Sequence, residues 1–173
     1  FALDADWRIM DYEIKGLDQS FSLRTKGEKL GPFQLKILGR HNVLNATAAY
    51  AVCHHYGVGK SVLEKVLAQF PGVGRRFEMI GRFGGVSVID DYAHHPTAIR
   101  SVIETARATF AGKKIWIAFQ PHTYSRTNAF FEEFVHALKS ADGVIMLPTF
   151  ASAREPVQSP DPSVRLAERL KAG

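Results

Sequence analysis

Hydrophobic and polar positions follow two different patterns along the chain. In the first part, short apolar runs are divided by glycine-containing turns, a pattern typical of strands. Strands are predicted at residues 7–14, 21–25 and 33–38. Two helices are predicted next, an alanine-rich one over residues 41–56 that ends at Gly57, and one over residues 61–70 with apolar side chains at helical spacing.

From about residue 86 short apolar strands alternate with amphipathic helices. Strands are predicted at 86–89, 115–119 and 144–147, and helices at 96–110, 128–141 and Pro162–Lys171. This alternation predicts an α/β fold with a mainly parallel sheet. We place the change of pattern near residues 81–85, which predicts one domain over 1–82 and a second over 83–173.

The composition is that of a soluble globular protein. The chain has 173 residues, of which 46% are hydrophobic and 23% charged. Cys53 is the only cysteine, which excludes an intrachain disulfide and fits a reducing compartment. No apolar stretch approaches the roughly 20 residues of a membrane helix, and no signal peptide is recognisable. The chain opens on Phe1 rather than Met, so we expect it to derive from a longer protein.

The formal net charge of +5 and the pI of about 9.4 permit an anionic partner. Lysines and arginines are scattered instead of forming one stripe, so phosphorylated small molecules are a better match than nucleic acid. A basic nucleic-acid-binding domain remains an alternative, and steep salt dependence of polynucleotide binding would distinguish it.

The sequence of residues 57–61, GVGKS, resembles the end of a phosphate-binding loop motif. The full motif needs a glycine five residues before Gly59, where this chain has His54, and it must follow a strand. Here the stretch follows a predicted helix. We therefore predict a helix–turn–helix joint and no triphosphate-binding loop in this chain.

Two polar segments belong to the first part. Asn42 and Asn45 lie three residues apart at a helix start and share a face, where they could cap the helix or hydrogen-bond to a purine edge. Arg75 and Arg76 follow a Pro-Gly break, where they could hold phosphate, pack over a planar base, or form an ordinary solvated pair.

Two further polar segments follow predicted strands. In the first, Asp90, Asp91 and Tyr92 are followed by His94 and His95; a carboxylate at such a strand end can bind ribose hydroxyls. The histidines could bind metal, but no third ligand has recognisable spacing, so caps and supporting hydrogen bonds are the preferred interpretation. The second segment clusters polar side chains between a strand and a helix start, a natural anion site; they include His122, Tyr124, Ser125 and Arg126. Loops from adjacent strands would face one crevice.

Four strings, GRHNVLNATAA, GVGRRFE, VIDDYAHHPT and FQPHTYSRT, occur here in the order that they have in the Mur ligase family. The chain resembles this family over nearly its whole length, and within it the ligases that join L-alanine to UDP-N-acetylmuramate. The resemblance implies that residues 1–82 end a central ATPase domain and that 83–173 begin a Rossmann-like C-terminal domain. It also implies ATP and Mg²⁺ as cofactors, with the phosphate loop and magnesium ligands upstream of this chain.

The implied activity is peptide-bond formation through an acyl-phosphate intermediate in peptidoglycan biosynthesis, in the cytoplasm; the chain alone is expected to be inactive. By motif, the nucleotide side comprises Asn42 and Asn45 at adenine, Arg76 at the nucleotide and Asp91 at ribose. The alanine and muramate side comprises Tyr92, His94, His122 and Arg126, of which His94, His122 and Arg126 are the catalytic candidates. No metal ligand is assigned within the chain.

Two features bear on the choice within the family. Thr123 stands where many members have arginine, which weakens the expectation that the amino acid's carboxylate is bound there. A sibling ligase that recycles murein tripeptide shares the Asp-Asp-aromatic-Ala-His-His-Pro loop, but its motif at 120–125 resembles Glu-Pro-Arg-Ser-Asn. The sequence therefore favours the alanine ligase over this sibling and over a non-catalytic nucleotide-binding module.

Overall fold

The computed structural model of the chain describes residues 5–153 and 155–172. They form two compact units. Unit 1 contains the chain up to Asp91 together with Ala108–Phe110, and unit 2 contains Tyr92–Arg107 and the chain from Ala111 onward.

Unit 1 begins with three antiparallel strands, β1 (Trp7–Lys15), β2 (Asp18–Thr25) and β3 (Glu28–Leu35), in the order β1-β2-β3. Helices α1 (Arg40–His55) and α2 (Lys60–Gln69) follow. All five predicted elements are present, and four of them have bounds within three residues of the prediction. The third strand is displaced: it was predicted at 33–38, but β3 begins at Glu28 and ends at Leu35. The core of unit 1 is made by strand and helix side chains together, among them Phe21, Leu23, Phe33, Val43, Tyr50 and Leu63.

The joint between α1 and α2 is a turn made by two glycines in different conformations. Gly57 has a φ of +81°, which L side chains rarely adopt, and Gly59 caps α2 in an extended conformation with φ −63° and ψ 142°. A helix precedes the turn and a helix follows it. The predicted helix–turn–helix joint is therefore confirmed.

These two glycines allow a matched test of the joint. Gly57→Ser is expected to lower the free energy of unfolding by about 1 kcal/mol, because a side chain at positive φ is strained. Gly59→Ser is expected to be neutral or slightly stabilising, because serine is a preferred N-cap and nothing lies within 4 Å of its Cβ. Urea unfolding of both variants measures the difference, and equal effects would contradict the assigned turn geometry.

Residues 78–90 form a hairpin of β4 (Glu78–Phe83) and β5 (Val86–Asp90). The prediction of a strand at 86–89 is confirmed, but β4 was missed, and the expectation that β5 belongs to a parallel sheet is wrong. Gly84 and Gly85 both have positive φ, as a two-residue hairpin turn requires, so β5 pairs antiparallel with the residues just before it. The predicted boundary after residue 82 lies inside this hairpin; the domain assignment itself stays a prediction.

Unit 2 alternates helices and strands. Its elements are α3 (Pro96–Thr109, of which the last two residues are assigned to unit 1), β6 (Trp116–Phe119), α4 (Tyr124–Ala129), α5 (Phe131–Leu138), β7 (Gly143–Met146) and α6 (Pro162–Lys171). Strands β6 and β7 pair in parallel, which confirms the α/β class and parallel pairing at this point. Helices cover this pair with a core that includes Ile99, Ile103, Phe119, Phe134, Leu138 and Leu166.

The predicted helix over 128–141 is instead two helices. Phe130 interrupts it with φ −115° and ψ 31°, and helix α4 already begins at Tyr124. The observed helix starts earlier than predicted because the polar residues of 120–127 show no apolar periodicity. Across the described residues, no helix is long and apolar enough to cross a membrane.

Candidate functional site

The amino end of α1 carries the first predicted site residues. Asn42 donates from Nδ2 to the Leu38 carbonyl oxygen, 2.7 Å away, and its backbone N–H donates to the Gly39 oxygen at 3.0 Å. Gly39 is the N-cap, so the alternative that an asparagine caps this helix is wrong: the Asn42 side chain donates backward instead of accepting an N–H. Asn45 is exposed one turn further along the helix.

A buried glutamine in β2 fixes the backbone that leads into α1. Gln19 is 1% exposed, and its Nε2 donates to the Ile37 oxygen at 2.8 Å. Its Oε1 accepts from the Gly39 N–H at 2.9 Å and from the Tyr12 hydroxyl at 3.1 Å. Gln19 was not predicted, because it lies outside the strand predicted at 21–25 and between two polar residues, Asp18 and Ser20.

The arginine segment is a tight loop held by acidic side chains. Arg75 and Phe77 both have positive φ, 58° and 49°. The Phe77 N–H donates to Asp91 Oδ2 at 2.8 Å, and Arg75 Nε lies 3.1 Å from Asp90 Oδ2 in an ion pair. Asp91 therefore stabilises this loop through its hydrogen bond to Phe77. Asp90 holds the side chain of Arg75. The side chain of Arg76 is exposed at the tip.

His41 lies in the electrostatic environment of two predicted nucleotide residues. Burial lowers the pKa of His41; the charge of Asp91 raises it and that of Arg76 lowers it, with a net shift below the usual value of 6.5. His41 is therefore neutral at pH 7. Its buried Nδ1 has no hydrogen-bond partner within the described part of the chain. His41 has no predicted role, although it stands in the same motif as Asn42.

Two substitutions are expected to shift the pKa of His41 in opposite directions, which tests whether Asp91 and Arg76 lie near it. Asp91→Asn is expected to lower it further, because a negative charge near the imidazole is lost. Arg76→Gln is expected to raise it, because a positive charge is lost. An NMR titration of the ring signals measures both variants, and shifts of the same sign would show that the two side chains do not flank His41.

In unit 2, three predicted residues form a ring cluster. The ring of Tyr92 meets that of His94 edge-on with centroids 4.8 Å apart, and the centroid of His94 lies 6.2 Å from that of His122. Nδ1 of His94 lies 2.8 Å from the Tyr92 carbonyl oxygen. A neutral His94 that donates from Nδ1 leaves Nε2 as an acceptor. Side chains of the two polar loops thus lie close together at His94 and His122, whereas the predicted crevice between adjacent strands stays a prediction.

Phe150, which the sequence analysis missed, supports His122. Their rings stack with centroids 5.4 Å apart and 23° between planes, and their backbones form a parallel bridge. The Thr123 N–H donates to the Phe150 oxygen at 3.0 Å, and the Phe150 N–H donates to the Pro121 oxygen at 2.8 Å. Arg126 joins the cluster through Nη1, 3.4 Å from the His122 carbonyl oxygen.

The amino end of α4 differs from the predicted anion site. The N–H groups of Tyr124 and Ser125 donate to the carboxylate of Glu155, at 2.8 and 3.4 Å. The expectation of a ligand anion at these donors is wrong because an internal carboxylate already occupies them. Thr123, at the position that departs from the family pattern, caps α4 with a φ of +72°, and its Oγ1 accepts from the Arg126 N–H at 3.4 Å.

The second histidine of the pair has a different environment. The ring of His95 packs edge-on against Phe130 with centroids 4.8 Å apart, and its Nδ1 accepts from the Thr97 N–H at the start of α3. Among residues 5–153 and 155–172, no group of three or more histidine, cysteine or acidic side chains could hold a metal ion.

A family model described as "Mur ligase, glutamate ligase domain" matches residues 75–172, which is more than half of the chain. The chain belongs to the Mur ligase family. The matched segment contains Arg76, Asp91 and the ring cluster, whereas Asn42 and Asn45 precede it.

Two curated relatives are both named UDP-N-acetylmuramate–L-alanine ligase. The chain is 41% identical to a UDP-N-acetylmuramate–L-alanine ligase of Sorangium cellulosum, over 96% of this chain and 35% of that protein. It is 47% identical to the one of Lactobacillus delbrueckii subsp. bulgaricus, over 87% of this chain and 34% of that protein. The chain thus spans about a third of the length of the curated relatives that it matches.

Solved structures of Mur ligases show the same fold. UDP-N-acetylmuramate-alanine ligase MurC from Thermotoga maritima superposes with a TM-score of 0.81 at 28% identity, covering 99% of this chain and 36% of that one. A murein peptide ligase from Psychrobacter arcticus gives 0.54 at 27% identity, covering 82% and 30%. Folylpolyglutamate synthase from Mycobacterium tuberculosis gives 0.73 at 18% identity, covering 98% and 36%, which shows a shared fold alone.

Proposed function

We propose that the protein containing this chain is an ATP-dependent ligase that joins L-alanine to UDP-N-acetylmuramate in peptidoglycan biosynthesis, in the cytoplasm. The proposal rests on one observation in unit 2: the rings of Tyr92, His94 and His122 lie next to one another, and Arg126 contacts the carbonyl oxygen of His122. Identities of 40–47% to proteins that bear this ligase name support the choice of substrates.

The nucleotide side of the proposal lies in unit 1. We assign Asn42, Asn45, Arg76 and Asp91 to ATP, and residues 1–82 and 83–173 to the central and C-terminal domains of a Mur ligase. The environment of His41 supports this assignment, because it brings the charges of Arg76 and Asp91 close to the start of α1. Asp91 can accept from Phe77 and still accept from a ribose hydroxyl, because a carboxylate offers about four lone-pair positions.

The acceptor side of the proposal is the ring cluster with Arg126. The amine of alanine must lose a proton to become nucleophilic, and an imidazole is the side chain that most often serves as a general base. His94 and His122 are the groups that we assign to this proton. Arg126 supplies a fixed cation for a carboxylate or for negative charge on the transferring phosphoryl group, and Tyr92 gives the cluster an exposed aromatic edge.

The chemistry balances in two steps. A carboxylate oxygen of UDP-N-acetylmuramate attacks the γ-phosphorus of ATP, and ADP leaves. The amine nitrogen of alanine then attacks the acyl carbon, its proton passes to a base, and phosphate departs with the former carboxylate oxygen. Magnesium neutralises phosphate charge in such transfers; we propose that its ligands lie upstream of this chain.

Isotope transfer tests the acyl-phosphate route. UDP-N-acetylmuramate labelled with ¹⁸O in its carboxylate is incubated with ATP, Mg²⁺, L-alanine and the natural gene product containing this chain. One labelled oxygen is expected in each phosphate released, because the carbon–oxygen bond breaks in the second step. Unlabelled phosphate with amide formation would contradict the route.

A further inference from the structure

We propose that Glu155 is a positioning residue, whose carboxylate holds the loop 120–126 in the form that presents His122 and Arg126. The hydrogen bonds of Glu155 do not depend on the proposed ligase function, whereas its role in catalysis rests on that function. Glu155 lies about 30 residues from its partners in the sequence.

The contact is made by one carboxylate on three donors. Oε2 accepts from the Tyr124 N–H at 2.8 Å, and Oε1 accepts from the Ser125 N–H at 3.4 Å and from the Ser125 hydroxyl. These groups form the first turn of α4, which contains Arg126. A helix of six residues has few internal hydrogen bonds, so its orientation depends on contacts from outside.

The segment that carries Glu155 is itself anchored. The Thr149 N–H donates to Asp161 Oδ2 at 2.9 Å, and Asp161 also caps α6 by accepting from the Ser163 N–H at 2.9 Å. Next to Thr149, Phe150 is bridged and stacked against His122. Thr149 is therefore held at the start of α6, and Glu155 is held at the start of α4.

The loop needs this support because its backbone is strained. Thr123 lies between His122 and α4 with a φ of +72°, a region that L residues with β-branched side chains avoid. Such a conformation persists only where surrounding contacts enforce it. Phe150 supplies those contacts on one side of Thr123, and Glu155 supplies them on the other.

The charge state of Glu155 agrees with the geometry. The hydrogen bond from Ser125 holds the pKa of the Glu155 carboxyl below its usual value of 4.5. The stabilising contribution of this contact is complete above the ordinary glutamate pKa and is lost only as the pH falls through the lowered value. The loop is thus held throughout the neutral range.

NMR of this chain tests the structural part. Glu155→Gln and Glu155→Ala are compared with Glu104→Gln, a substitution of an exposed glutamate on α3. The Glu155 variants are expected to shift the amide signals of Tyr124 and Ser125, the ring signals of His122 and the Nε signal of Arg126. Shifts confined to Tyr124 and Ser125, or no shifts, would overturn the proposal and leave at most a helix cap.

Kinetics of the natural gene product test the functional part. Glu155→Gln is expected to lower kcat/KM for the amino acid at least tenfold per folded molecule, with KM for ATP nearly unchanged. Equal kinetic constants per folded molecule would overturn positioning, because a merely structural carboxylate would change stability alone. If the unsubstituted protein releases no phosphate with any acceptor, the ligase function fails, and the NMR comparison still decides whether Glu155 positions His122 and Arg126.

Discussion

Replacing Gln19 with leucine is expected to lower the free energy of unfolding of unit 1 by about 2–4 kcal/mol. The side chain is 1% exposed and its amide satisfies the Ile37 carbonyl oxygen and the Gly39 N–H. Leucine nearly preserves the volume, so the effect comes from the backbone groups left without partners, at about 1–3 kcal/mol for each buried one.

Hydrogen exchange measures this loss separately for the two units. Amide protection of Val43 and Tyr50 in α1 should fall, whereas that of Phe134 in unit 2 should not change. Gln34→Leu, an exposed position on β3, is the matched control and should change stability by no more than about 0.5 kcal/mol. Equal effects at the two glutamines would show that the Gln19 network does not hold the start of α1.

Arg126→Ala in the natural gene product is expected to lower L-alanine-dependent turnover by roughly 10²–10³-fold, the usual cost of removing one preorganised charge-stabilising group. Arg126 is partly buried and its guanidinium is oriented by the His122 carbonyl oxygen. Arg126→Lys should recover only part of the activity, because an ammonium cannot reproduce the planar, forked donor geometry.

The control for this prediction is Arg100→Ala, an exposed arginine on α3, which should leave turnover unchanged. Steady-state rates with ATP, UDP-N-acetylmuramate and L-alanine give the comparison. An Arg126→Ala variant within a few-fold of the unsubstituted protein would place the acceptor chemistry somewhere other than the ring cluster.

The fold was predictable where local pattern decides the structure. Helix α6 has its predicted bounds because Asp161 and Pro162 mark its start and its apolar spacing is regular. Strand β4 was missed because its sequence Glu-Met-Ile-Gly-Arg-Phe has no clean alternation. The pair Gly84-Gly85 was interpreted as a boundary, although two adjacent glycines between apolar runs also indicate a hairpin.

The site was predictable only in part, for a different reason. Motif resemblance supplied Tyr92, His94, His122 and Arg126, and the structure brings them together, but their roles stay predictions. Gln19 and Glu155 act through contacts about 20 and 30 residues away along the chain. Such contacts follow from tertiary packing, so the spacing of residues along the sequence does not predict them.

One measurement tests the proposed function most directly. The natural gene product containing this chain is assayed for phosphate release from ATP and Mg²⁺ with UDP-N-acetylmuramate and a panel of amino acids, and separately with murein tripeptide. The ligase assignment predicts release that requires both UDP-N-acetylmuramate and L-alanine. Release with the tripeptide alone would move the protein to the recycling branch of the family, and no release with any acceptor would contradict a ligase function.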